Sequence, residues 1–152
     1  MLNLRECKGS FKGLIGECMF KLTNKRVVIT RFFNITKYFR IFGKYLSKQQ
    51  SEFLRQNWFS IDAIEITFET GRKKIRLYEI KTKNKYSKEM RFKPKITSAT
   101  VKMYSKAKGL GFIVNYATVW FLSNWDFEVE ILEFNEQIFY IDKPKRYDKR
   151  MP

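Results

Sequence analysis

The residues with the clearest chemical potential are Asp62, Glu79 and Lys81, two carboxylates and one ammonium group in a single stretch of the chain. Asp62 begins a segment rich in β-branched and aromatic residues, Glu79 and Lys81 end the next such segment, and Gly71 lies between the two. This pattern predicts two strands joined by a tight turn. Because side chains alternate between the faces of a sheet, a two-residue turn places Asp62 opposite Glu79 or Lys81.

The three charged groups would then meet at one end of an otherwise apolar surface, where charge is costly unless it is paired or metal-bound. A divalent cation would compensate the two carboxylates, and hard carboxylate oxygens suit magnesium. The alternative is an ordinary pair on an edge strand, because Glu-x-Lys arises readily in a lysine-rich chain. Glu6-Cys7-Lys8 is a second copy without a strand pattern, and we interpret it as solvated surface.

The amino-acid composition limits which classes of protein this chain can belong to. The 152 residues, 44% hydrophobic and 17% aromatic, suit one globular domain with its own core. No apolar run is long enough to span a bilayer and no secretory pattern is present, so we expect an intracellular protein. The chain has no histidine, which argues against zinc and excludes histidine-based nucleophilic schemes. Cys7 and Cys18 lack metal-ligand spacing, and Cys18 is expected in the core.

The net charge of +16, from 31 Lys/Arg against 15 Asp/Glu, predicts a polyanionic partner. Nucleic acid is the first candidate and an anionic membrane surface the second. The densest positive region, residues 72–95, flanks the three charged groups and would meet a phosphate backbone. The basic residues predicted to face DNA are Arg72, Lys73, Lys83, Lys85, Lys102 and Lys106.

The first half of the chain is predicted to be mostly helical. A helix is expected from Ser10 to Lys21 or Leu22, with Glu17 at the flank of its apolar stripe. The stripe comprises Leu14, Ile15, Cys18, Met19 and Leu22. Residues 26–33 predict a short strand. Residues 35–57 predict a basic, aromatic-rich helix, kinked or divided at Gly43, and we interpret its apolar side as core or dimer surface rather than as a membrane contact.

The second half predicts a β-α-β unit. Thr97 or Ser98 would cap a helix that ends near Lys108, with Gly109 as its C-cap. Val101 and Tyr104 of this helix can face the core. Strands are expected at 112–122 and 127–134, a short edge strand at 137–141, and a basic flexible tail at 143–152. A strand, helix and strand in succession imply parallel pairing. The predicted fold class is α/β, a single domain with a mixed sheet flanked by helices.

In their order, these segments resemble the PD-(D/E)xK nuclease superfamily, and most closely the archaeal Holliday junction resolvases and related viral nucleases. Lys12-Gly13 followed by Glu17 is similar to the first-helix motif, and Ser60-Ile61-Asp62 and Tyr78-Glu79-Ile80-Lys81 are similar to the catalytic strands. The helix and glycine-rich turn at 104–111, and Trp125-Asp126-Phe127, resemble the elements that close the fold. The similarity covers most of residues 12–134, and residues 35–57 are a helical insertion into it.

The resemblance implies a restriction-endonuclease-like sheet over residues 1–142 and metal-dependent cleavage of DNA, with branched DNA as the expected substrate. Asp62 and Glu79 would hold Mg²⁺ or Mn²⁺ together with the carbonyl of Ile80, and Glu17 would complete the shell directly or through water. Lys81 would orient the attacking water or stabilise the charge that develops on the phosphate. Glu17, Asp62, Glu79 and Lys81 are therefore the predicted catalytic residues.

Three alternatives for the function are compatible with the sequence. Paired cleavage of a junction would require a symmetric homodimer, and the apolar stripes offer surface for one. A monomeric nuclease for duplex, flap or single-stranded DNA is the alternative, and a DNA-binding protein of the same fold without catalysis is another.

Overall fold

The predicted hairpin forms the middle of the sheet. β2 (Ala63–Glu69) and β3 (Arg72–Asn84) pair antiparallel along the whole of β2. Thr70 and Gly71 both have positive φ, as in the two-residue turns whose twist matches that of the flanking strands. The computed structural model describes residues 9–84, 95–122, 126–134 and 140–142.

Within the described residues, the hairpin is joined by three further strands of the sheet, β1 (Val28–Ile29), β5 (Ile113–Phe121) and β6 (Phe127–Glu133). The five strands form a mixed sheet in the order β1-β2-β3-β5-β6, so β1 and β6 are its edges. β3 and β5 run parallel and are joined through α4 (Ser98–Gly109), so the predicted β-α-β unit is confirmed. The described residues thus form one α/β domain with a mixed sheet and helices.

Three helices cover one face of the sheet. They are α2 (Ile35–Phe42), α3 (Lys48–Asn57) and α4. Their buried residues Tyr38, Phe53 and Leu54 pack in one cluster with Ile64 and Leu77 of the hairpin. The aromatic stripe of residues 35–57 therefore belongs to the core of this chain, and a short 3-10 turn starting at Gly43 divides it as predicted.

α1 (Gly9–Thr23) covers the opposite face. Phe20 is fully buried there against Tyr78, with ring centroids 5.0 Å apart. The helix approaches β3 most closely at Gly16, where an added Cβ would lie 1.9 Å from Thr82 Oγ1. A residue without a side chain is needed at this contact, and the contact sets the depth at which the neighbouring Glu17 lies.

The structure corrects the predicted stripe of α1. Cys18 and Leu22 are exposed, whereas Phe20 and Glu17 are buried. The prediction failed because it excluded a charged residue from the buried face. Glu17 lies inside because it has an ionic partner, Arg31, on a neighbouring segment.

Other boundaries also differ from expectation. Strand pairing in residues 26–33 is limited to Val28–Ile29, since the chain then enters a 3-10 turn. α4 includes Gly109, and the left-handed position after it is Gly111. Of the edge strand predicted at 137–141, the structure describes a later segment, β7 (Tyr140–Asp142), which pairs in parallel with β4 (Lys95–Thr97). The turn at 123–125 and the tail at 143–152 lie outside the described residues.

The β6 edge of the sheet is acidic. Glu128, Glu130 and Glu133 are all exposed on this strand, although the chain as a whole is strongly basic. Within the described part of the chain, no helix is both long and apolar enough to cross a membrane.

The Gly16 contact generates a test of the α1–β3 packing. Gly16→Ala should lower the free energy of unfolding by ~1–3 kcal/mol, because the new methyl group overpacks against Thr82. Gly13→Ala is the matched control. Its Cβ would meet no atom within 4 Å, so it should stabilise the helix by about 0.5–1 kcal/mol.

Urea unfolding of both variants measures the difference. Adding Thr82→Ala should restore most of the stability that Gly16→Ala loses. Equal effects of the two alanines would show that α1 does not lie this close to β3.

Candidate functional site

The candidate site lies just before the start of β2, where β3 extends beyond its partner. β2 starts at Ala63, whereas the partner strand β3 continues past Tyr78 to Asn84. Immediately before Ala63, the Asp62 side chain replaces backbone pairing, and its Oδ2 accepts a hydrogen bond of 2.8 Å from Ile80 N. This bond holds the carboxylate beside β3, opposite Glu79, which is one of the two registers that the sequence allowed.

Glu79 is buried and is held from two sides. Its Oε2 accepts a 2.7 Å hydrogen bond from the hydroxyl of Tyr104, a buried residue of α4. Its Oε1 lies 3.1 Å from Nζ of Lys81, whose side chain is 42% exposed. Glu79 is therefore fixed by the core on one side, while its cationic partner reaches solvent on the other.

The two carboxylates oppose each other electrostatically. Burial, followed by the nearby Glu79 charge, raises the pKa of Asp62 to about 7, although the hydrogen bond from Ile80 N acts in the opposite direction. Burial disfavours the charged form of Lys81, but the attraction of Glu79 and Asp62 outweighs it and raises the pKa of Lys81. The Lys81 ammonium thus stays charged. It only partly relieves the repulsion between Asp62 and Glu79.

Glu17 approaches the same region from α1. It is 4% exposed, and its Oε2 lies 3.3 Å from Arg31 Nε. Burial, together with the Glu79 charge, raises the pKa of Glu17, and Arg31 lowers it. Glu17 in turn raises the pKa of Asp62. Glu17, Asp62 and Glu79 therefore act on one another electrostatically, and Lys81 interacts with Asp62 and Glu79.

Asp62 and Glu79 could hold a metal ion only as part of its ligand shell, with further ligands supplied from outside the protein. No group of three or more His, Cys, Asp or Glu residues in the described part of the chain is arranged to hold a metal ion. Mg²⁺ is commonly bound through one or two carboxylates, with water and substrate phosphate completing the shell. Asp62 and Glu79 are the carboxylates of this site that could supply such ligands.

Sequence reasoning missed two residues that hold the predicted ones in place. Tyr104 was assigned only to the core, although its hydroxyl donates to Glu79. Arg31 was read as part of a strand, but it partners Glu17 from a 3-10 turn. A buried glutamate requires a cation or donor nearby, but the sequence does not say which of 31 basic residues supplies it.

The predicted DNA-facing residues occupy different parts of the fold. Lys102 and Lys106 are exposed on α4, on the side away from buried Tyr104, and Lys83 is half-buried two residues beyond Lys81. Arg72 and Lys73 begin β3, about 23 Å along the strand from Glu79. Lys85 lies outside the described residues.

No model of a known protein family matches this chain. No curated protein is significantly similar to it.

The repulsion at Asp62 predicts how metal-free stability depends on pH. A carboxyl whose pKa is raised on folding destabilises the fold once it ionises, so this penalty grows from about pH 4 to about pH 7 and is complete above that range. In EDTA at pH 8, Asp62→Asn should therefore raise the melting temperature by ~2–4 °C, or about 1 kcal/mol.

The gain should shrink towards pH 4, where Asp62 of the native protein is neutral. Glu130→Gln, which removes the same charge from the exposed β6 edge, is the control and should leave the melting temperature unchanged. A melting temperature lowered by Asp62→Asn at pH 8 would contradict the repulsion.

Proposed function

We propose that this protein is a metal-dependent nuclease that hydrolyses phosphodiester bonds in DNA. The observation that carries the proposal is the meeting of Asp62, Glu79 and Lys81 where β3 extends beyond the start of β2, with two carboxylates desolvated together beside a charged ammonium. Two carboxylates are costly to bury together unless counterions compensate both of them. A net charge of +16 favours a polyanion as the ligand of that site.

Each side chain has a role in this proposal. A divalent cation, Mg²⁺ or Mn²⁺, would supply Lewis acidity that lowers the pKa of water and neutralises phosphate charge. Asp62 and Glu79, with the Ile80 carbonyl, would hold that cation, and Tyr104 would orient Glu79. Lys81 would bind a phosphate oxygen or the attacking water, because its ammonium group reaches solvent while Glu79 anchors it. Glu17 would order a water molecule from the α1 side.

The mixed sheet with helices on both faces is compatible with a restriction-endonuclease-like fold, and the order of the motifs supports membership of the PD-(D/E)xK superfamily. Branched DNA is the substrate that the resemblance favours. The predicted homodimer stays a prediction. Because the aromatic stripe of α2 and α3 packs in the core of the chain, a second copy would have to use other apolar residues, such as the exposed Phe11, Leu22 and Ile41.

Cleavage assays test the catalytic assignment. With Mg²⁺ or Mn²⁺, the protein should cut at least one member of a panel of branched, flap, duplex and single-stranded DNAs. Asp62→Asn or Glu79→Gln should reduce the rate by about 100-fold or more, because each removes a metal ligand. Glu17→Gln should have a smaller effect.

Glu130→Gln is again the matched control and should cleave at the native rate. DNA binding should persist in all four variants, since loss of negative charge does not weaken attraction to phosphate. Native rates in Asp62→Asn or Glu79→Gln would refute the assignment. Binding to the panel without cleavage by the native protein would instead identify a DNA-binding protein that lacks catalysis.

Two pairs of basic residues test where DNA lies. Replacing both Lys102 and Lys106 with Gln should weaken binding to all sequences alike, and should reduce the slope of log K against log salt by about 1–2. Replacing Arg72 and Lys73 removes the same charge from the far end of β3 and should change that slope less. A larger effect of the Arg72 and Lys73 pair would place DNA along the hairpin turn, away from the site.

A further inference from the structure

Two exposed phenylalanines lie close in the fold to the segment that carries Asp62. Phe59 is 96% exposed and Phe32 is 55% exposed. Phe59 lies three residues before Asp62, and Phe32 lies next to Arg31, the partner of Glu17. Neither phenyl group is buried in the core, and both are carried by segments that adjoin the site.

These rings are carried by ordered backbone. Phe59 lies in a 3-10 turn between Trp58 and Ile61, which are 2% and 1% exposed. Phe32 ends the 3-10 turn that begins at Thr30, and the two turns pack together.

Thr30 ties both turns to the site. Its backbone N donates to Asp62 O at 3.1 Å, and its hydroxyl donates to Ile61 O. The exposed phenyl pair (Phe32 and Phe59) is thus attached to the same backbone that holds the Asp62 carboxylate.

The surroundings favour a nucleobase as the occupant. Arg31 and Ser60, the neighbours of the two rings in sequence, are polar and exposed. A stable protein interface needs a contiguous surface of ~1,200 Å² or more, whereas a single base needs one ring face and a cation nearby for its phosphate. Arg31 and Arg26 are exposed cations in the same segment of the chain.

We propose that the exposed phenyl pair stacks against unpaired bases next to the phosphate bound at the Asp62–Glu79 site. The inference rests on the proposed function for the identity of the bound polymer, and it adds the substrate class. A phenyl ring can reach a base face only where that base is not stacked in a continuous duplex. The preferred substrate is therefore a nucleic acid with unpaired nucleotides at the site, such as a single strand, a flap or an opened branch.

Binding without cleavage tests the inference. A short single-stranded DNA carrying 2-aminopurine, and the duplex of the same sequence, are titrated with protein in EDTA. The native protein should bind the single strand more tightly than the duplex and should quench the 2-aminopurine. Phe59→Ala should weaken single-strand binding roughly 5- to 50-fold, with little change for the duplex and with loss of quenching. Phe32→Ala should have a smaller effect of the same kind.

Phe68→Ala is the matched control. Phe68 is also an exposed phenylalanine, at 59%, but it lies about 20 Å along β2 from Asp62, so its removal should leave both affinities unchanged. Phe59→Trp should retain binding and quenching, which would exclude a general loss of fold. Equal loss of duplex and single-strand affinity in Phe59→Ala would overturn the inference, as would unchanged binding.

The outcome is separable from that of the proposed function. Selective loss in Phe59→Ala together with no cleavage of any DNA by the native protein would support base stacking and refute the nuclease. Cleavage by the native protein with unaffected binding in Phe59→Ala would support the nuclease and refute base stacking. If Phe59→Ala lowers the mass measured by light scattering and leaves DNA binding unchanged, the phenyl pair contacts a second protein copy, and base stacking is overturned.

Discussion

The mutual repulsion of Asp62 and Glu79 is the constraint on which the site depends. Two carboxylates do not remain together in a desolvated place unless other groups hold them there. Ile80 N holds Asp62, and Tyr104 and Lys81 hold Glu79. Each of these groups belongs to a different structural layer: a strand backbone, a helix in the core, and a side chain that reaches solvent. The position of Glu79 therefore depends on the packing of α4, which carries Tyr104, in the core.

Groups from both faces of the sheet meet just before the start of β2. Beyond Tyr78, β3 has no residue of β2 opposite it, and the Asp62 side chain takes the place of a backbone partner. Glu79 faces α4, whereas Glu17 comes from α1 on the other face. The approach of Glu17 is possible because α1 touches β3 at a glycine. A larger residue at position 16 would move the helix outward and Glu17 with it.

The hairpin could be predicted because it depends on local rules. Alternation along the strands and a two-residue turn at Gly71 place Asp62 opposite Glu79 or Lys81. The turn at Thr70 and Gly71 then selects Glu79. The β-α-β unit could be predicted for a similar reason, since the helix and both strands have clear periodicity. The divided helix at 35–57 followed from its aromatic spacing and from Gly43.

The remaining features depend on contacts between distant segments. Glu17 was placed at the flank of α1 because helical periodicity alone cannot show that Arg31 lies across from it. The predicted strand at 26–33 stops at Ile29 because the chain turns there into a 3-10 turn. The Thr30 hydroxyl holds that turn against Ile61 O, a tertiary contact that no local pattern reports. Tyr104 was recognised as a core residue but not as a donor, since its role requires knowing which carboxylate is opposite.

The acidic β6 edge makes the distribution of charge across the sheet asymmetric. Glu128, Glu130 and Glu133 are exposed at one margin of the sheet, while Lys25, Arg26 and Arg31 are exposed next to the β1 margin, four strands away. A body with charge separated in this way rotates in the field of a polyanion until its positive margin leads. The β1 side, which carries Arg31 and adjoins Asp62, would then arrive first, and β6 would face away. Such pre-orientation shortens the search that follows each encounter, and added salt would diminish it.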